Sequence, residues 1–384
     1  MSRRRVSLLV LAAAAVLGAG CGPAAGPGGA AASVVRPPSL ATSLVTPAGT
    51  WAVAVLGGPA AQHNNFWQLF VRPAATSRWR LATPPGVASN GGLVVAGLGA
   101  GSVVAGFRPS QHLTYSPLAT THNNGTAWTP GLLDAALAGV PDALAAAPAS
   151  GRLLALLGNG QAELSTPGGT TWATLATRGS LAASPAGRRC GLSHLTAAAF
   201  SPTGAPLLAG TCTHPGTTGI FTHTSGTWHL AGPTLPAADT HRAITVLRLT
   251  TTAGTTTALL AAGTGPTARL LAAWPAHSGT HWALSPPLPL HGATLTSAAT
   301  GPAGTIAVVL TGHHAQTTTP AARAWKPLPT LPPATATLAP GPTGGWDALT
   351  VHHTTLTIWQ LTPGSATWTT TQTINVPIQF GSSG

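Results

Sequence analysis

Acidic side chains are almost absent from this sequence: 5 Asp and Glu in 384 residues, against 17 Lys and Arg. Carboxylates this scarce leave little material for chemistry that needs two of them converging on one bond. The formal net charge of +12 therefore reflects missing acids rather than a basic run. Beyond the first five residues only Arg188 and Arg189 are adjacent. Nucleic-acid binders gather their basic residues into a patch or stripe, so the pattern points away from nucleic acid and toward weak attraction to anionic polymers. Lysine, tyrosine and glutamate occur once each, as Lys326, Tyr115 and Glu163. Three cysteines are present without a CxxC spacing, which argues against a thiolate metal site. P-loop, Rossmann, HExxH and GxSxG patterns are missing, so no cofactor is expected.

What is present begins with an address. MSRRR precedes the apolar run VSLLVLAAAAVL, which has the length of a signal-peptide core and is short for a bilayer span. Residues 1–20 are read as that signal. LGAGC, Leu17–Cys21, resembles the lipobox of bacterial lipoproteins, with Gly18 where that family more often has Leu. The resemblance implies cleavage before Cys21 and a diacyl lipid on its thiol. That would anchor the chain on the outer face of the cytoplasmic membrane or the cell surface of a bacterium. A plain secretory signal cut near Ala19 or Gly20 is the alternative. Residues 21–47, rich in Ala, Gly and Pro, read as a flexible tether. An exported chain can bridge its two remaining cysteines, Cys190 and Cys212, and closing that loop would contribute about 3 kcal/mol.

Across 48–384 a turn running into tryptophan recurs seven times, at Trp79, Trp128, Trp172, Trp228, Trp282, Trp325 and Trp368. Successive copies lie 43 to 56 residues apart, the size of a four-stranded propeller blade. Short Thr- and Val-rich runs between them read as strands, and 47 Gly with 36 Pro supply the turns. The expected fold is all-β, a β-propeller of seven four-stranded blades, or six because the sixth unit has a poor third strand. Helical spacing is convincing only in GLLDAALAGVPDALAAA, 131–147, where Pro141 and two glycines interrupt it. Closure of the ring is expected from pairing of WAVAVLG (51–57) with INVPIQF (374–380).

The copies STPGGTTW (165–172) and THNNGTAW (121–128) resemble the Asp-box, S-x-D-x-G-x-x-W, of sialidase-type propellers. Ser165, Gly169 and Trp172 match, with Pro167 in the Asp place. Asn123 holds that place in the other copy, beside Gly125 and Trp128. The resemblance implies structural roles for the turn, with the Trp packed between blades, so Trp172→Ala should cost about 3 kcal/mol. It also implies that ligands bind on the opposite face, made of second-to-third strand turns and blade-to-blade links. That face would carry Glu163, Arg188, Arg189, Asp239, His241 and Arg242, with Asp142, Arg178 and His194 also in links.

Sialidases use an arginine triad, a Tyr–Glu pair and an Asp. The only matching pair here would be Tyr115 with Glu163, in different blades. His313, His314, His352 and His353 fall at equivalent hairpins and, with His63, are candidate Zn or Cu ligands, although no HxH or HxxxH spacing links these five. The expectation is an exported, lipid-anchored, non-catalytic binding or scaffolding module at the cell envelope. Its partner would be an envelope glycan or another envelope protein. A sialidase-like glycoside hydrolase is the alternative.

Overall fold

The computed structural model describes residues 41–57, 66–87, 92–99, 101–107, 118–131, 141–169, 171–276 and 281–377. Among these residues the strands fall into seven consecutive antiparallel groups of four, with one further two-residue strand, Leu288–Pro289, paired to the third strand of the fifth group. The groups span 41–81, 93–130, 143–177, 192–230, 244–284, 295–327 and 335–375, and are called blades 1 to 7 below. The first strands of blades 1 to 5 lie beside one another in order, as do those of blades 6, 7 and 1. Each inner strand carries small, aliphatic or β-branched residues on two covered faces. Ala52, Val53 and Ala54 in blade 1 are therefore buried in succession, as are Ala258, Leu259 and Leu260 in blade 5. A strand between two packed neighbours requires such a run.

The hydrophobic core is divided accordingly. Seven clusters of buried side chains each join two neighbouring blades, for example Leu154, Leu156, Phe200 and Leu208 between blades 3 and 4. The same holds for Leu247, Leu270, Leu295 and Val308 between blades 5 and 6. One cluster joins the last blade to the first, through Leu349, Leu356 and Ile358 against Ala52, Phe70 and Trp79. That cluster closes the ring.

Closure does not use the strand pairing expected from the sequence. Trp51–Leu56 lies in the second strand of blade 1, paired with the first and third strands of its own blade. Ile374 and Asn375 end the fourth strand of blade 7, and residues 378–380 lie outside the described residues. The seam is held instead by a polar latch. Arg72 of blade 1 is ion-paired with Asp347 of blade 7, both buried. Trp79 Nε1 donates to Asp347 Oδ2 at 2.8 Å. Gln372 accepts from Trp79 N at 2.8 Å and donates to Trp79 O at 2.7 Å.

Two further boundaries differ from the sequence reading. The propeller-forming chain starts with the strand Ala41–Thr46, not at residue 48. Its Thr-Ser-Leu-Val-Thr pattern resembles a polar tether, yet Ser43 and Thr46 are buried. Ala41–Ser43 pairs in parallel with Ser297–Ala299 of blade 6. Arg248 of blade 5 straps both strands, donating to Ala298 O at 2.9 Å and Ser43 O at 2.5 Å.

The helices are also elsewhere. Ala143–Ala147, the end of the segment with helical spacing, is a strand, while 132–140 lie outside the described residues. Two short helices, α1 (Arg178–Ala183) and α2 (Pro185–Cys190), fill the link from blade 3 to blade 4. Thr177 and Ser180 form a capping box for α1, and Ser184 caps α2 with Pro185 in its first turn. Helices this short carry no visible period, so only their caps mark them in the sequence. Among the described residues no helix is long and apolar enough to cross a membrane.

The repeated tryptophans stitch blade to blade. Trp128, Trp282, Trp325 and Trp368 donate their indole N–H to Ala82 O, Ala231 O, Pro286 O and Pro329 O, at 3.0, 2.6, 2.9 and 3.3 Å. Each acceptor lies just past the fourth strand of the preceding blade. Trp79, in the first blade, makes the corresponding reach to Asp347 of the last. Of the seven, Trp79 is buried, at 2% exposure, whereas Trp172 and the others are half-buried. The burial assumed for Trp172 was therefore too great.

Candidate functional site

Backbone hydrogen bonds sort the turns into two faces. On one, first-to-second turns bond third-to-fourth turns, as in Asn124 N to Gly101 O and Gly168 N to Gly151 O. Here Asn123 Oδ1 accepts from Ala127 N at 2.9 Å and from Thr121 Oγ1 at 3.0 Å, tying up the side chain in its own turn. On the other face, second-to-third turns bond the links between blades, as in Arg178 N to Gly160 O and Gly216 N to Arg242 O. Arg178, Arg188, Arg189, His194, His214, His241, Arg242 and Arg269 all stand on this second, link face or at its edge.

The link face carries a cleft of ≈ 370 Å³ where blade 3 meets blade 4. Asp142, Asn159 and Arg178 line it from blade 3 and its flanking links, and His194, Leu195 and Thr196 from blade 4. Each is held by its element. Asp142 N donates to Leu156 O at 2.7 Å. Arg178 opens α1, and its Nη1 donates to Ser193 O at 3.3 Å across the cleft. Gly160 has φ +81, and a Cβ there would lie 3.0 Å from Arg178 Cβ, so glycine leaves the arginine its place. Thr196 is buried and donates to Val246 O at 2.5 Å. Burial pushes the Asp142 carboxyl above its ordinary value, because a low-dielectric setting disfavours the charged form. Among the described residues no second carboxylate lines the cleft. Its chemistry is that of recognition: one carboxyl acceptor, one guanidinium, one imidazole and one amide around a polar hollow.

The other singled-out residues separate into used and exposed groups. Glu163 is not in a turn but in the strand Gln161–Ser165, buried, accepting from Gln161 Nε2 at 2.5 Å and Thr174 Oγ1 at 2.8 Å. Its carboxylate is thus held inside blade 3, because the hairpin turn is completed two residues earlier. Tyr115 and Cys21 lie outside the described residues, as does His63. Arg188 and Arg189 are exposed on α2, with Arg188 bonded to Ala183 O and Arg189 O accepting from His214 Nδ1 at 3.0 Å. Cys190 and Cys212 are joined by a disulfide, which fastens α2 to blade 4. Asp239 is fully buried, whereas His241 beside it is exposed. His313, His314, His352 and His353 are exposed, His313 and His353 in hairpin turns and His314 and His352 at the adjoining strand ends. Among the described residues no three potential metal ligands come together.

Sequence reasoning placed Asp142, Arg178 and His194 in links without a reason to prefer them. It passed over Asn159, Thr196 and Arg269 altogether. The only available signal was position: each sits at a blade end next to a glycine or a link.

No family model matches the chain, and no curated protein matches it. Among solved structures the chain is similar to YCF48 from Cyanidioschyzon merolae. The identity is 12%, over 86% of this chain and 98% of that one, with a TM-score of 0.52. It is also similar to the GH74 xyloglucanase from Xanthomonas campestris, at 13% identity and a TM-score of 0.53, covering 86% of this chain and 52% of the enzyme. The fold is a β-propeller. At these identities the likeness extends to the propeller alone; its bearers differ in function, and this chain spans about half the length of the xyloglucanase.

Proposed function

We propose that this propeller is a non-catalytic binding module that presents its link face, with the cleft between blades 3 and 4 as the ligand's seat. One observation carries the reading: the placement of the scarce acids. Asp347 is spent in the ring's latch, Asp239 lies buried beneath two arginines, and Glu163 is bonded within its strand. Asp142 is left as the one cleft carboxyl among the described residues. One carboxyl beside a guanidinium and an imidazole suits hydrogen-bonded recognition of a polyhydroxylated or polar peptide ligand, whereas glycoside hydrolysis needs a second group at a set distance.

The finer reading is a ring of seven blades with degenerate Asp-box turns, exported and tethered through a lipid on Cys21, binding an envelope glycan or another envelope protein. The lipobox-like LGAGC and the seven turn-Trp copies support it.

Titration of the purified chain with solubilised envelope polysaccharide tests the binding. Asp142→Asn and Arg178→Gln should each weaken it by about tenfold, the value of a lost charge-assisted hydrogen bond. Binding unaffected by both variants would remove the cleft from the reading. A fluorogenic sialoside assay covers the alternative, and turnover abolished by Glu163→Gln would replace binding with hydrolysis. Cys21→Ala should shift the expressed protein from the membrane to the soluble fraction. A wild-type chain that is already soluble and lacks lipid would end the anchor proposal.

A further inference from the structure

A second locus on the link face, at the boundary of blades 4 and 5, has the build of an anion site. Asp239 ends the short 3-10 turn Ala237–Asp239 in the link and has no exposed surface. Among the described residues neither carboxylate oxygen receives a hydrogen bond. Its only charged neighbours there are two arginines, both approaching Oδ1 through Nε: Arg269 at 3.4 Å and Arg242 at 3.7 Å. One arginine comes from the link and the other opens the third strand of blade 5, so separate arms of the chain converge on one buried acid.

We infer that Arg242 and Arg269 form an oxyanion-binding pair, with Asp239 as the buried group that positions them. Three features lead there. The trio carries one uncompensated positive charge, and the side chains of Arg242 and Arg269 are 25% and 24% exposed above an acid with none. The edge of each guanidinium that bears Nε faces the acid. Of the four terminal nitrogens, only Arg242 Nη1 makes a hydrogen bond among the described residues, to Thr267 O at 3.0 Å.

The surroundings are also cut to fit. At Gly263, where φ is +79, a Cβ would lie 2.7 Å from Arg242 Nη1, so the turn makes room for the guanidinium. A single ion pair would need one arginine; two held over one carboxylate, with donors turned outward, match a planar or tetrahedral oxyanion. The ordering cost has been met in the fold, which favours binding. The ligand class is a carboxylate, sulfate or phosphate group borne by the partner. The proposal extends the reading of the link face as the binding face but does not depend on the cleft.

The test is thermal unfolding of the full chain at constant ionic strength, with sodium sulfate, phosphate or malonate replacing sodium chloride. A saturable rise in Tm at millimolar concentration is expected, and comparison of the three salts distinguishes a phosphate or sulfate preference from a carboxylate one. Arg269→Lys keeps a cation beside Asp239 but loses the fork; it should fold and bind the preferred anion at least about tenfold more weakly. Arg242→Gln combined with Arg269→Lys should abolish the saturable shift. Should the double variant not fold, isothermal titration of Arg269→Lys alone decides the point. A shift equally large in Arg269→Lys, or no saturable shift in the wild-type chain, overturns the proposal and leaves the arginines as counter-ions only. Asp142→Asn should leave the shift unchanged, so failure here and failure of the cleft read out separately.

Discussion

Asp347 shows what one residue can do in a chain with 5 acids. Its Oδ2 takes the Arg72 guanidinium and the Trp79 indole N–H, and Arg72 in turn donates to Pro340 O at 2.7 Å and Thr50 Oγ1 at 3.1 Å. Burial disfavours charge on both partners, pushing the Asp347 carboxyl up and the Arg72 guanidinium down against their mutual attraction. Removing one partner strands the other, so Asp347→Asn should cost about 3–5 kcal/mol in urea denaturation. An Arg72→Met, Asp347→Leu double variant should recover a large part of that loss. Arg248 makes a second buried commitment, and burial pushes its guanidinium down to about 10. At Asp142 the sign is that of a raised carboxyl. The folded state holds the proton longer than the unfolded chain does, so the contribution to stability is present below 3.8 and is lost as pH rises through the folded value. Asp142→Asn should flatten stability against pH in that window, and the carboxyl ¹³C titration of the wild-type chain should have its midpoint above 3.8. None of these roles is legible in the sequence, because burial and partners drawn from opposite ends of the chain decide them.

Elements were more readable where they repeat. A turn followed by Trp marks the start of a fourth strand at every blade, since one packing problem is solved seven times. The stitch itself was not visible, because its acceptor is a backbone carbonyl. Trp282→Phe, which keeps the ring and loses the bond to Ala231 O, should cost about 1 kcal/mol. Trp172→Ala should cost less than the roughly 3–5 kcal/mol of a buried tryptophan, because Trp172 is half-buried; equilibrium unfolding of both variants checks this. The strand Ala41–Thr46 and the helices α1 and α2 escaped for opposite reasons. The strand is polar enough to pass for a linker, and the helices are too short for a period to show. Glu163 was misplaced by a few residues because a strand start and a turn end share the same composition.

At the scale of the ring, one interface differs from the other six. Neighbouring blades elsewhere are joined by a covalent link, whereas blades 7 and 1 meet through a hydrophobic cluster, the Asp347 latch, the Arg72 bond to Pro340 O and the Gln372 contacts. Opening there frees no tethered loop, so it should be the least costly sub-global opening. Native-state hydrogen exchange should show the amides of Thr369–Asn375 and of the outer strands of blade 1 exchanging ahead of those in blades 4 and 5. Uniform protection around the ring would show that the latch is as firm as a link.

The same asymmetry gives the chain a direction in time. Each of the observed Trp stitches reaches back to a carbonyl that was synthesised earlier, so a blade emerging from the ribosome can dock on a predecessor already in place. Trp79 is the exception, since its acceptor, Asp347, is made 268 residues later. Until then the first blade must keep an arginine and an indole waiting without their acid, which makes the last blade the step that turns a row of hairpins into a finished protein.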